Sequence, residues 1–170
     1  MSAGKGQQGF TYISVLLTVA IMAAALGAAA TVHSQAAQRE KEVELLFVGD
    51  QYRQAIATYY ERSPGGAKRY PQRLEDLLED RRFPALTRHL RRLYKDPVTG
   101  EDFVPVEAPG GAGIMGVASR SEAEPIKSAN FRVRDAGLVD ARKYADWKFT
   151  YSPAGLSASQ PGNNTNTPAR

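Results

Sequence analysis

The chain changes character twice along its first third. A short polar leader, Met1–Gly9, gives way at Phe10 to 23 consecutive residues without a charge, ending at Val32. As a helix that run is about 35 Å long, enough to cross a hydrocarbon core of roughly 30 Å. Ala23-Ala24-Ala25, Gly27 and Ala28-Ala29-Ala30 make one end of it small in side chain, which lets helices approach closely in a bilayer. Beyond Val32 the sequence turns polar, yet no proline occurs until Pro64, and Leu45, Val48, Tyr52, Ala55, Ile56 and Tyr59 recur at spacings of three and four. That spacing builds one apolar face on a helix. Ser63-Pro64-Gly65-Gly66 then stops it. The pattern predicts a single helix over 10–62, about 80 Å long, apolar all round in its first half and amphipathic in its second. Within it, Arg39-Glu40-Lys41-Glu42-Val43-Glu44 reads as a solvated, mixed-charge face.

After the stop the periods are shorter. Leu74, Leu77 and Leu78 form one helical stripe that Pro84 ends, and Leu86, Leu90, Leu93 and Tyr94 form a second. Lys95-Asp96-Pro97-Val98-Thr99-Gly100 reads as a turn, with proline presetting its angle and glycine closing it. Strand-like segments follow at 103–106, 114–119, 131–134 and 147–151. In the last, Trp147, Phe149 and Tyr151 alternate with Lys148 and Thr150, as on a half-buried antiparallel strand, and Pro105 confines its own segment to an edge. Residues 157–170 are rich in Ser, Asn, Thr, Gly and Pro and read as a disordered tail. The expected organisation is therefore a leader (1–9), an apolar helix (10–32), its amphipathic continuation (33–62), a globular α+β head (63–156) and a tail (157–170). The fold class is α+β, with the long helix packed on a small antiparallel sheet.

Composition narrows the function. The chain has 170 residues, no cysteine and a formal charge of +4. Disulfides and thiolate metal sites are ruled out, so a head of this size must find its core by packing onto its own helix. The charge is too small to demand a nucleic-acid partner. Arg88, Arg91, Arg92 and Lys95 fall on one helical stripe, which reads as a solvated face rather than a DNA surface. No catalytic constellation is present. Gly110-Gly111-Ala112-Gly113 lacks the Lys-Ser/Thr of a phosphate loop, and His33 and His89 have no nucleophile or metal partner at motif spacing. His33 sits where the helix leaves the apolar zone, and His89, flanked by arginines, reads as part of the solvated basic face. The chain is not read as an enzyme.

The order of the first segments is informative. A secretory signal is cut after its apolar core, whereas Lys5-Gly6-Gln7-Gln8-Gly9-Phe10-Thr11-Tyr12-Ile13-Ser14 places the candidate processing point, Gly9–Phe10, before it. This resembles the class III leader of type IV pilins and of the pseudopilins of type II secretion. The succession Tyr70-Pro71, Leu74-Glu75-Asp76-Leu77, Asp96-Pro97-Val98-Thr99-Gly100, Gly113-Ile114-Met115-Gly116-Val117-Ala118-Ser119 and Asp146-Trp147-Lys148-Phe149 resembles, more softly, the head of a pseudopilin of the major-subunit kind. A conventional signal cut near Ala28-Ala29-Ala30 and a plain single-span anchor fit the same apolar run.

The resemblance implies a pilin-like fold and a structural role. The chain would be cut after Gly9 and N-methylated on Phe10 by a bifunctional prepilin peptidase and methyltransferase. It would sit in the bacterial inner membrane as a single pass with its head in the periplasm. Copies of itself and sister pseudopilins would join it in a pseudopilus built on an inner-membrane platform. Rival readings are a type IV pilus subunit for adhesion, motility or DNA uptake, and a membrane-tethered periplasmic binding module. Major pseudopilins also often hold calcium in a C-terminal loop. Asp135, Asp140 and Asp146 lie in the corresponding stretch and offer the hard oxygens calcium needs, although their spacing fits no compact motif. Two departures stand out. The family's glutamate at the fifth mature position is Ser14, and its frequent proline at position 22 is Thr31. Serine cannot neutralise a neighbour's terminal amine, but it costs less to hold in lipid than an ionised acid.

Overall fold

The computed structural model describes residues 8–153, and within that range the side chains of residues 12–24 and 34–153. The start of the leader, the tail at 157–170 and the side chains of Phe10, Thr31 and His33 lie outside the described residues. The fold is α+β. A 54-residue helix, α1 (Gln8–Glu61), precedes an antiparallel sheet of β1 (Val104–Glu107), β2 (Ile114–Ala118) and β3 (Lys148–Thr150), in the order β1-β2-β3. Short 3-10 turns make up the other regular structure of the described residues. Two compact units, Met1–Lys41 and Glu42–Arg170, divide inside α1, so the head begins on the helix rather than after its stop at residue 63.

The stop itself works as expected. Gly65 and Gly66 have φ of 75° and 78°, which a residue with a side chain adopts only with strain, and the helix ends just before them. Upstream, Leu45, Val48, Tyr52, Ala55, Ile56 and Tyr59 are all buried, none more than 7% exposed. They share one apolar cluster with Phe103, Val117, Trp147 and Phe149. Complete burial of side chains such as Ile56 and Phe149 is worth about 1.5–3 kcal/mol each.

Sheet register follows from the same alternation. Pro105 pairs with Val117 and Val117 with Phe149, so the central strand and β3 turn Val117 and Phe149 inward together. Pro105 stands on the edge strand β1 and is exposed. A bulge between Val106 and Glu107 shifts the register, and the pairing resumes at Glu107 opposite Ile114. The helix comes very close to the sheet at Gly49. A Cβ there would lie 2.4–2.5 Å from Cγ, Cδ1 and Cδ2 of Phe149.

Three local expectations are corrected. Leu74–Leu77 is one 3-10 turn rather than the start of an α-helix. The segment around Leu86, Leu90 and Leu93 is not helical: its backbone bonds run to distant groups, with His89 and Leu90 N–H both donating to Leu77 C=O and Asp80 N–H donating to Thr87 C=O. Consequently Leu90 is buried whereas Leu86 is 67% exposed, so they share no inward face. Finally, the strand expected over 131–134 is replaced by a 3-10 turn, Val133–Leu138, with Val133 almost wholly exposed.

Candidate functional site

The first unit presents an apolar surface without a cover. Tyr12, Ile13, Val15, Leu16, Leu17, Val19, Ile21 and Met22 are each 51–67% exposed. Successive helical positions step by about 100°, so these side chains point in all directions around the axis. Apolar surface on that scale marks an interaction site. Among the described residues, no helix is long and apolar enough to cross a membrane. Within the apolar run the described side chains are those of residues 12–24. Ser14 stands in this surface, exposed, and its carbonyl accepts the Thr18 hydroxyl at 2.8 Å. Gly9 and Phe10 enter as backbone of α1.

Polar bonds in the second unit hold the helix in its seat. Glu42 is 3% exposed, contrary to its expected place on a solvated face. Its carboxylate accepts from the backbone N–H groups of Ile126 and Lys127 and from the Tyr144 hydroxyl, so the long loop before β3 is fastened to α1. Glu42 lies three residues before Leu45 on the apolar stripe, which is the signal that could have revealed its burial. One turn beyond Val48, the Tyr52 hydroxyl donates to Tyr94 C=O and accepts from Tyr94 N–H, both at 2.9 Å. Burial pushes that phenol up to about 12.

At the carboxyl end of α1, Arg82 lies 3.5 Å over the Tyr59 ring and donates to Tyr59 C=O and to Ser63 Oγ. It also forms a two-pronged pair with Asp80, whose side chain is fully buried. The His89 ring contacts the same carboxylate at 3.0 Å and is itself only 1% exposed, so the solvated basic setting expected for it is overturned. Burial alone would raise the Asp80 carboxyl, but the bonds from Arg82 and His89 outweigh it and hold it at about 2. Sequence reasoning missed Asp80 and Arg82. Only the closed loop brings them to the end of the helix.

The residues considered for calcium are engaged elsewhere. Asp135 is buried and accepts from Arg53 at 2.8 Å. Asp146 accepts the backbone N–H of Lys143 in its own turn, and Asp140 is exposed. Among the described residues, no group of three or more His, Cys, Asp or Glu is placed to hold a metal ion. The positive charge that Asp135 meets is a guanidinium. Gly110 and Gly111 form the connection between β1 and β2, at φ of 73° and 70°. Arg88, Arg91, Arg92 and Lys95 are exposed on the non-helical loop rather than along a helix.

The chain matches no protein-family model, no curated protein and no solved structure.

Proposed function

We propose that the chain is a structural subunit of a periplasmic pseudopilus of type II protein secretion, cut after Gly9 by a prepilin peptidase. One observation carries this reading. A single helix, α1, bears a segment that is apolar all round and exposed, then a one-sided apolar face that is the spine of a small head. The two halves are suited to two solvents. Large apolar side chains facing every direction are stable in lipid or against identical helices, whereas the one-sided stripe needs a sheet to cover it. In this reading the apolar run 10–32 crosses the inner membrane before assembly and lines the filament core afterwards. The head is pilin-like, and Phe10 becomes the methylated terminus.

Ser14 shapes the assembly step. A carboxylate at this position would hold a neighbour's terminal amine by charge, while a serine hydroxyl offers a neutral contact at lower desolvation cost. The leader supplies the test. Glycine at the cleavage position leaves room for the peptidase to reach the bond, so Gly9→Val protein should stay unprocessed in the inner membrane and be missing from sheared filaments. Normal processing of that variant would remove the class III assignment. A type IV pilus subunit would pass the same test, and filament length and protein export in a deletion strain separate the two.

A further inference from the structure

We propose that the loop at 81–95 is a docking surface for an acidic, partly apolar polypeptide from another protein. This stands on the head alone and is independent of the filament reading. In these fifteen residues Arg81, Arg82, Arg88, Arg91, Arg92 and Lys95 occur with no acid. Arg82 is consumed by Asp80, and Arg81 reaches Glu79 only at 3.7 Å with 86% of its side chain exposed. Arg88, Arg91 and Lys95 have no ion-pair partner among the described residues, and Arg92 leans over the Tyr94 ring at 5.0 Å.

The fold holds this charge outward. Double acceptance by Leu77 C=O turns His89 and Leu90 inward and leaves Arg88, Arg91 and Arg92 in solvent. The Asp80–Arg82–His89 cluster, with Asp80 and the His89 ring buried, fixes the base of the loop. Binding to such a surface costs little loop ordering. Arginine favours bidentate pairing with carboxylates, and the exposed Leu86 and Leu93 add apolar contact between the cations.

That mixture selects the partner class. Single-stranded nucleic acid would want exposed aromatic rings for stacking, but Phe83 and Tyr94 are both half-buried. A second copy of this chain is poorly matched, because no stretch of similar length carries six acids without a cation. The densest, at 75–80, has Asp80 buried and Asp76 accepting two backbone N–H groups.

The test uses the full chain in neutral detergent and a fluorescent peptide of repeated Glu-Glu-Leu, followed by anisotropy. Binding should weaken as salt rises, and the triple variant Arg88→Glu, Arg91→Glu, Arg92→Glu should weaken it by roughly tenfold or more. Leu86→Ser should weaken it by roughly threefold with little change in salt dependence. All four side chains are exposed, and an unchanged near-ultraviolet circular dichroism spectrum from Trp147 verifies the fold of each variant. Equal peptide binding by the triple variant would overturn the proposal. So would duplex DNA or phosphatidylglycerol vesicles binding as tightly as the peptide at the same salt, or charge reversal that changes only self-association.

Discussion

Gly49→Ala sets two opposing effects against each other. In an isolated helix the change is favourable, because alanine loses less backbone freedom, a gain of about 1 kcal/mol. In this protein the new Cβ would stand 2.4–2.5 Å from three ring carbons of Phe149. Non-bonded carbons rest at about 3.5–4.0 Å, so either the ring or the helix must move by roughly 1 Å. Phe149 is completely buried between β2 and α1, with Arg53 above its ring at 5.7 Å, and has little room to retreat. Overpacking of this kind costs about 1–3 kcal/mol and occasionally more. With so little room to relax the upper part of that range applies, about 2–3 kcal/mol, so packing should win, with net destabilisation of about 1–2 kcal/mol once the helix gain is subtracted. For a domain of this size that lowers Tm by roughly 4–10 °C. Thermal unfolding of the full chain in detergent, read by near-ultraviolet circular dichroism, measures it. A double-mutant cycle with Phe149→Ala adds a sharper criterion. The pair should be less harmful than the sum of its parts by about 1 kcal/mol or more, because the smaller side chain accommodates the added methyl. A Gly49→Ala protein that melts at or above wild type would refute the close seating of α1 on β3.

Acid should unfold the head through Asp80. Its carboxyl titrates at about 2 when folded, against 3.8 unfolded, so the native state holds the charged form more strongly. The resulting stability, roughly 2 kcal/mol, is fully present above pH 4 and is lost as pH falls through 2. Asp80→Asn should flatten that part of the stability–pH curve while lowering Tm at neutral pH, and a persisting acid loss of the same size would assign it to other carboxylates. Tyr52→Phe leaves Tyr94 N–H and C=O without their partner and should cost about 1–3 kcal/mol by denaturant titration, whereas a value near zero would mean the bridge is replaced by water. Because Asp135 is paired with Arg53, chelation by EDTA should leave Tm unchanged, and Arg53→Ala should lower it by about 3 kcal/mol in stability. A clear fall in Tm on chelation would place calcium in the loop.

Much of the scaffold was legible because it depends on local periodicity. The stripe from Leu45 to Tyr59 and the alternation of Trp147 and Phe149 bury their apolar members as their spacing requires, and the helix ends before Ser63–Gly66. Leu86, Leu90 and Leu93 show where that logic ends. Their helical spacing is real, but the preceding Pro84 and the long-range acceptors Leu77 and Thr87 draw the backbone into a closed loop. The polar ties were harder to see. Glu42, Asp80 and His89 look like ordinary surface residues in sequence, and their burial depends on partners between 2 and 102 positions away. At the apolar end, the same pattern that implied a membrane-length run leaves eight large side chains uncovered between Tyr12 and Met22. Pattern supplied the surface there, and its occupant is the matter of the proposed function.

The most direct measurement is mass spectrometry of the amino terminus of the protein extracted from inner membranes in the presence of a prepilin peptidase. The account predicts a chain that begins at Phe10 and carries one methyl group on its amine. A terminus near residue 31, or an uncut chain that still begins at Met1, would contradict it.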